Sequence, residues 1–170
     1  MSLQDVSIIL DFEGFKFPGK IIYRELSWVH LHKNLSDSYN IYTPGILYKN
    51  LNPNDQRTVR FCTHQLTGLF IADKPQKYGK WKSSEELKAY LLSLYKEHGC
   101  YFGFKGGDME KILLEELGIP FIDIEKLGVP KSSKIGRIKN CRNHIGEIKH
   151  CSLCDVNLYK YAIKNKIFDL

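Results

Sequence analysis

The chain has 170 residues, of which 43% are hydrophobic and 26% are charged, and its formal net charge is +6. These values are those of an ordinary globular protein and predict one domain, residues 1–170, with a core of its own. No run approaches the ~18 consecutive apolar residues of a membrane span, and the N-terminus lacks the form of a signal peptide. We therefore expect an intracellular protein, of the cytoplasm or nucleus, with no membrane partner.

The first half of the chain predicts a three-stranded meander followed by a helix. Runs of β-branched and aromatic residues, separated by turn-forming residues, indicate strands at residues 6–15, 20–31 and 39–43. Asn52 is followed by a proline and then by an acid, which predicts the start of a helix. The polar, lysine-rich segment 73–82 that comes next predicts a loop.

The second half of the chain predicts helices and strands in alternation. A helix is predicted at residues 83–98, a buried strand at 100–105 and a further helix at 108–117. Residues 119–124 predict another strand, and strands that flank a helix in this way suggest a parallel unit. A closing helix is predicted at 151–167. The elements together predict an α/β fold whose mixed sheet combines an antiparallel meander with parallel strands and is flanked by helices.

Acidic residues follow two of the predicted buried strands. Asp11 and Glu13 come at the end of the apolar run that begins at Val6, and Asp108 follows the run 101–104 where a helix begins. An unpaired carboxylate is costly to bury, so acids at the ends of two apolar runs require an explanation. Carboxylates of this kind bind divalent metals, and a metal site is our interpretation.

Two further ligand-type residues lie near the C-terminus. His150 and Asp155 are five residues apart, so both reach one site if a helix begins between them. Each acid taken singly has a simpler explanation: strand-end solvation for Asp11 and Glu13, helix capping for Asp108 and a first-turn acid for Asp155. The conjunction of all of them in this order is what indicates a catalytic site.

The order Asp11-x-Glu13, then Asp108, then His150-x4-Asp155 resembles the catalytic signature of the DEDDh 3′–5′ exonucleases. That family belongs to the RNase H-like superfamily, in which three antiparallel strands are likewise followed by alternating helices and strands. The resemblance therefore implies an RNase H-like fold for the whole chain and phosphodiester hydrolysis as its chemistry. Asp108 departs from the family in its context, because Gly106-Gly107 precedes it in place of the usual Asn-x-x-Phe.

The resemblance also implies a role for each of the five residues. Asp11 would bridge two Mg²⁺ or Mn²⁺ ions, Glu13 and Asp155 would bind the ion on the nucleophile side, and Asp108 would act on the other ion mainly through water. His150 would be the general base that takes the proton of the attacking water, a task suited to a side chain that titrates near neutrality.

Cysteine and histidine residues form a second cluster late in the sequence. Three of the five cysteines stand at Cys141, Cys151 and Cys154, close to His144 and His150. These ligand types and short spacings suit zinc, and the odd number of cysteines fits metal binding in a reducing compartment better than a disulfide framework. The simpler alternative is that these are ordinary buried thiols and surface histidines.

Part of this cluster resembles the Maelstrom domain, a branch of the same fold in which a Glu-Cys-His-Cys set binds zinc. Carried over to this chain, the set is Glu125, Cys141, His144 and Cys151. Cys154 is an alternative to Glu125 and is chemically the better fourth ligand. The resemblance implies one structural Zn²⁺ that would order the long polar loop beside the acidic site.

A basic stretch lies in the same part of the chain. Residues 126–146 contain six lysine or arginine residues and no acid, and they overlap the predicted long loop at 130–149. Such a stretch is usually a solvated loop, but beside a phosphodiesterase site it predicts contacts to phosphates. The residues that we expect to contact nucleic acid are Lys131, Lys134, Arg137, Lys139 and Arg142.

These inferences converge on a 3′–5′ exonuclease that acts on single-stranded RNA or DNA. A preference for RNA is implied by the Maelstrom resemblance alone. The alternative is a catalytically inactive, Maelstrom-like RNA-binding module that zinc stabilises.

Overall fold

The computed structural model describes residues 2–136 and 150–165. The strands are β1 Val6–Phe17, β2 Lys20–His30, β3 Ser36–Tyr42, β4 Trp81–Ser83, β5 Tyr101–Phe104 and β6 Phe121–Asp123. The helices are α1 Pro53–Cys62, α2 Ser84–His98, α3 Met109–Leu117, α4 Ser132–Ile135 and α5 Ser152–Lys164. A π-helical turn, Thr63–Thr67, continues α1, and a 3₁₀ turn, Ile124–Leu127, follows β6.

The six strands form one mixed sheet in the order β4-β3-β2-β1-β5-β6. Strands β1, β2 and β3 are an antiparallel meander, whereas β5 runs parallel to β1, β6 parallel to β5 and β4 parallel to β3. This arrangement confirms the predicted α/β class, and its mixed sheet flanked by helices is consistent with an RNase H-like layout. The two central strands of the sheet are β1 and β2.

Alternate residues of β1 enter two separate cores. Ile8, Leu10 and Phe12 pack with apolar residues of α2 and α3 on one face of the sheet. Ile9 packs on the other face, in the cluster that contains Val156 of α5. Because side chains alternate along a strand, the residues after Ile9 with odd numbers also point toward α5. Asp11 and Glu13 therefore share the face that α5 covers.

A β-bulge interrupts the pairing of β1 with β2 beside these acids. Glu13 pairs with Glu25 and Gly14 pairs with Tyr23, so Arg24 is the extra residue. A Cβ on Gly14 would lie 2.2 Å from the carbonyl oxygen of residue 22, which explains glycine at this position. Bulges bend a strand and change where its side chains point, and this one lies directly after the second acid of β1.

The elements agree with the sequence predictions except at short segments. The capping box of α2 is present, since the Ser83 side chain accepts from the backbone of Glu86 and the Glu86 side chain accepts from the backbone of Ser83. Within the segment predicted as a loop, β4 forms because three residues pair with β3. The short helix α4 likewise lies in the predicted long loop. Among the helices of residues 2–136 and 150–165, none combines the length and apolar character needed to cross a membrane.

Candidate metal centre

Asp11 and Glu13 reach a cleft that α5 closes from the opposite side. The position of α5 is set by Glu25, which is buried and lies opposite Glu13 in the sheet. Glu25 Oε1 accepts hydrogen bonds from the Ser152 backbone N–H at 3.0 Å and from Ser152 Oγ at 2.5 Å. A carboxylate at a helix N-terminus compensates the unpaired N–H groups there. The first turn of α5 is thereby held over the acids of β1, and this turn carries Asp155.

His150 completes a group of metal-ligand side chains at this cleft. Its backbone N–H donates to the Leu66 carbonyl oxygen at 3.0 Å, which attaches the residue to the π-helical turn after α1. One ligand atom from each of Glu13, His150 and Asp155 lies within 4.8 Å of the other two. In the described ranges 2–136 and 150–165, no other three His, Cys, Asp or Glu side chains meet this criterion. The spacing is short enough for all three side chains to contact one ion.

Two carboxylate oxygens at the cleft, Asp11 Oδ2 and Asp155 Oδ1, are buried and have no hydrogen-bond partner within residues 2–136 and 150–165. Burial raises the pKa of Asp11 well above its usual value, and the negative charges of Glu13, Glu110 and Asp155 raise it further. Burial also raises the pKa of Asp155, while a hydrogen bond from Ser132 and the neighbouring His150 oppose the change. Unsatisfied buried carboxylate oxygens are costly, and a bound cation would remove that cost.

Glu110 is a fourth buried acid beside Asp11 that we did not single out from the sequence. It lies in the first turn of α3, is 5% exposed and accepts a hydrogen bond from the Phe12 backbone N–H at 3.0 Å. Burial raises its pKa, and the Phe12 hydrogen bond opposes that shift. Strand β5 pairs with β1 only as far as Ile9, so the Glu110 carboxylate takes the place of a strand partner for Phe12.

Asp108, the residue that the sequence analysis favoured in this region, has different surroundings. Its side chain is 63% exposed and forms an ion pair with Lys16 Nζ. That contact lowers the pKa of Asp108, in contrast to the raised pKa values of the buried acids. Asp108 lines a second cleft together with Asp11, Lys16 and Glu110. It therefore lies at the rim of the acidic site, and Glu110 is the acid that contacts β1.

The cleft between β1 and α5 has a volume of about 420 Å³ and carries positive charge at its rim. Its lining includes Asp11, Glu13, His150 and Asp155 together with Lys105 and Lys131. Of the lysines predicted to contact nucleic acid, Lys131 thus lies at the cleft, and Lys134 is exposed on α4. The other three predicted contacts, Arg137, Lys139 and Arg142, lie outside the described residues.

The predicted zinc ligands are described only in part. Cys141 and His144 lie outside the described residues, whereas Cys151 is buried directly before α5 and Cys154 is half-buried within it. Glu125 lines the acidic cleft and its Oε1 lies 3.2 Å from Lys105 Nζ. An ion pair with lysine is a competing role for a carboxylate proposed as a zinc ligand.

The ligand set at the cleft is chemically suited to a hard divalent cation. It supplies carboxylate oxygens from Asp11, Glu13 and Asp155 and an adjacent imidazole. One oxygen of Asp11 and one of Asp155 have no hydrogen-bond partner among the described residues. Mg²⁺ and Mn²⁺ prefer such oxygen ligands. No family model, no curated protein and no solved structure matches this chain.

Proposed function

We propose that this chain is a metal-dependent 3′–5′ exonuclease that hydrolyses single-stranded nucleic acid, with some preference for RNA. The observation that carries the proposal is the convergence of Asp11, Glu13, His150 and Asp155 at one cleft, where two buried carboxylate oxygens lack partners. The direction of hydrolysis and the preference for RNA follow from the family resemblances noted in the sequence, and they are part of the proposal.

Mg²⁺ or Mn²⁺ fits the residues of this cleft. Asp11, Glu13 and Asp155 would hold the metal, with a contribution from Glu110 or Asp108 on the side of α3. When bound, two such ions supply the activation of water and the stabilisation of a leaving oxygen in phosphodiester hydrolysis. The buried acids favour bound cations because their own mutual repulsion is relieved.

The chain itself supplies proton transfer and substrate positioning. His150 is exposed, lies beside Glu13 and Asp155 and donates from its backbone to Leu66, which supports the proposal that it takes a proton from an attacking water. Lys131 is exposed at the same cleft and would contact the phosphate oxygens of the substrate, whereas the side chain of Lys105 is buried and paired with Glu125. A basic rim around an acidic centre also raises the local concentration of an anionic substrate.

The test is a degradation assay on single strands labelled at the 3′ or the 5′ end, with Mg²⁺, Mn²⁺ or a chelator. We expect early release of the 3′ label, a ladder from the 5′ label and no reaction with the chelator. Asp11→Asn should reduce the rate by several orders of magnitude, because it removes the central charge and keeps the shape of the side chain. Equal degradation by the wild type and by folded Asp11→Asn would overturn the proposal.

The surroundings of Asp108 favour a second candidate function, a catalytically inactive RNA-binding module that zinc stabilises. In that case the ion pair with Lys16 is the permanent state of Asp108, and no second metal is required. The same assay separates the two candidates. An inactive module would bind a labelled RNA strand in fluorescence anisotropy and leave it intact with either metal.

We also propose one structural zinc, held by Cys141, His144, Cys151 and a fourth ligand. The ion pair of Glu125 with Lys105 favours Cys154 over Glu125 for the fourth position. Zinc at Cys151 would attach the long basic loop to the start of α5. Elemental analysis of protein purified without added metal should show about one zinc per chain, and Cys141→Ser should remove it and lower the melting temperature. Zinc-free protein with unchanged stability would contradict this assignment.

A further inference from the structure

We propose that the outer edge of the sheet at β4 is a second contact surface for single-stranded nucleic acid. Phe70, Tyr78 and Trp81 would stack on bases, and Lys74 and Lys77 would contact phosphates. We call these five residues the edge surface. The inference rests on the proposed function, in which the 3′ end of the nucleic acid lies at the carboxylates. The edge surface would then bind a more distant part of the same nucleic-acid strand.

The sheet register places the edge surface on the same face as the carboxylates. Glu13 pairs with Glu25, Glu25 with Asn40, and Asn40 with Trp81, so these four residues form one row across four strands. Side chains that are directly paired across a sheet point to the same face. Three strand spacings separate Glu13 from Trp81, which corresponds to about 14 Å. A short single strand is long enough to cover this distance.

Two rings of the edge surface are exposed, and the third, Trp81, is half-buried. Tyr78 is 78% exposed and Phe70 is 47% exposed. Trp81 Nε1 donates to the Tyr78 carbonyl oxygen at 2.7 Å. The buried Arg24 donates from Nε to the Phe70 carbonyl oxygen, and its guanidinium carbon lies 5.1 Å from the centre of the Trp81 ring. These contacts hold the Trp81 ring and the backbone of Tyr78 and Phe70, and the Phe70 ring also lies 5.8 Å from that of His64. A held ring loses little conformational entropy when a base stacks on it.

The charge of the segment fits a polyanion. Residues 73–82 contain four lysines and one acid. Lys80 is paired with Asp37, and Lys82 Nζ lies 4.3 and 4.6 Å from the ring centres of Tyr39 and Tyr90. These two lysines therefore have partners within the fold, and we leave them out of the edge surface.

Lys74 and Lys77 remain exposed, and Lys77 Nζ lies 5.5 Å from the Tyr78 ring centre. Lysines also protect an edge strand from pairing with another sheet, a role that accounts for Lys82 of β4 and for Lys80 beside it. It does not account for the exposed rings of Phe70 and Tyr78. Exposed rings interleaved with lysines are the pattern expected of a surface for single-stranded nucleic acid.

Tryptophan fluorescence offers a direct test, because the chain has two tryptophans and one of them is buried. Trp28 is 6% exposed and donates to the Tyr90 hydroxyl, so Trp81 is the tryptophan that reports on ligands. With a chelator present, a 16-nucleotide oligouridine should quench the fluorescence of wild-type protein and of Trp28→Phe. A dinucleotide should leave it unchanged, because it is too short to reach from the carboxylates to Trp81.

Variants of the edge surface extend the test to affinity. Tyr78→Ala should weaken binding of the 16-nucleotide strand about tenfold, the scale of one lost base stack. Lys74→Ala with Lys77→Ala should weaken it further and reduce its salt dependence. Tyr161→Ala and Lys96→Ala are matched controls, since Tyr161 is exposed on α5 and Lys96 is exposed in the last turn of α2, at the end far from β4. Neither change should alter the affinity for the strand. The rate on a dinucleotide with Mn²⁺ should be the same for all variants.

The outcomes separate the edge surface from the proposed function. If no variant changes affinity and the strand does not quench Trp81, the edge surface is wrong, whether or not the protein is active. If binding depends on Tyr78 and the protein degrades nothing with any metal, the edge surface stands and the exonuclease proposal fails.

Discussion

Two acids at the start of α3 are two residues apart and have opposite environments. Glu110 is buried against β1 and accepts from the Phe12 N–H, whereas Asp108 faces solvent and pairs with Lys16. A carboxylate buried next to Asp11 is unfavourable in the absence of a counter-ion. In the sequence the two acids are equivalent members of an Asp-x-Glu pair. What distinguishes Glu110 is tertiary: the pairing of β1 with β5 ends at Ile9, and the Phe12 N–H donates to the Glu110 side chain instead of to a strand.

We predict that Glu110→Gln lowers the rate of degradation by about 10- to 100-fold or more. The change keeps an acceptor for the Phe12 N–H and removes the charge beside Asp11, so the fold is retained. Asp108→Asn is the matched control and should change the rate by a few-fold at most. Steady-state kinetics over a range of Mn²⁺ concentrations would measure both. A large loss in Asp108→Asn with full activity in Glu110→Gln would return the role to Asp108.

A second prediction concerns His150, which lies close enough to Glu13 and Asp155 to be either a base or a ligand. If it is the base, His150→Ala should lower the maximal rate by roughly 10²–10⁴ and leave the Mn²⁺ concentration for half-maximal activity unchanged. His32→Ala, a change at an exposed histidine far along the chain, is the control. A marked rise in the required Mn²⁺ concentration would instead make His150 a metal ligand, and loss of zinc would place it in the zinc site.

At the scale of elements, the site depends on how α5 is attached to the sheet. Ser152 Oγ lies 2.5 Å from Glu25 Oε1 and 2.7 Å from Ser27 Oγ, and Ser27 Oγ lies 2.8 Å from Ser38 Oγ. This buried polar chain connects the first residue of α5 to β2 and β3. Asp155 follows three residues later in the same helix. A change at Glu25 would therefore shift the start of α5 and, with it, the Asp155 carboxylate.

We therefore predict that Glu25→Ala lowers activity by about 10- to 100-fold and raises the Mn²⁺ requirement, as expected of a positioning residue. Glu25→Gln should recover part of the activity, because it keeps an acceptor for the Ser152 N–H. The control is Ser7→Ala, which removes another partly buried hydroxyl bond, from Ser7 Oγ to the Gly99 carbonyl oxygen at 2.7 Å. Ser7→Ala should lower the free energy of unfolding and leave the rate of degradation unchanged. Equal metal requirements in all three variants would refute the positioning role.

The parts of the fold that the sequence predicts are those with a local signal. The meander follows from runs of β-branched and aromatic residues separated by turn-forming residues, and the start of α2 follows from the Ser83–Glu86 capping box. Strand β4 has three residues and forms through pairing with the distant β3, so no local periodicity indicates it. The same contrast holds at the cleft. The order of Asp11, Glu13 and Asp155 along the chain indicates the site, whereas the burial of Glu110 is a product of tertiary packing.

For the whole molecule, the buried acids predict a link between metal binding and stability. Burial raises the pKa values of Asp11, Glu110 and Asp155 above those of the unfolded chain. Their contribution to stability is therefore complete below about pH 4, the unfolded value, and is lost as the pH rises through the folded values. At neutral pH the metal-free protein should be destabilised by these charges, and a bound cation should restore stability.

Calorimetry of the metal-free protein would measure this link. At pH 7 we expect Asp11→Asn to melt a few degrees higher than the wild type in chelator, because each kcal/mol corresponds to about 2–4 °C for a chain of this size. The difference should shrink toward pH 4. Mn²⁺ at a hundred times its dissociation constant should stabilise the wild type by about 2.7 kcal/mol and leave Asp11→Asn largely unaffected. A metal-free Asp11→Asn that melts below the wild type would contradict the expected charge repulsion.

The extra residue in β2 has a consequence for how this sequence can change over time. In β2 the odd-numbered Tyr23, before the bulge, faces α2 and α3, whereas after the bulge the even-numbered residues such as Leu26 do so. This change of parity lets two consecutive residues, Arg24 and Glu25, serve the same face, one beneath Trp81 and the other at the start of α5. Loss of Arg24 would restore regular alternation and leave Tyr23 and Glu25 on their present faces, whereas loss of a residue of β2 after Arg24 would turn the side chains on one side of it to the opposite face. A one-residue deletion in β2 is therefore tolerated best at the bulge.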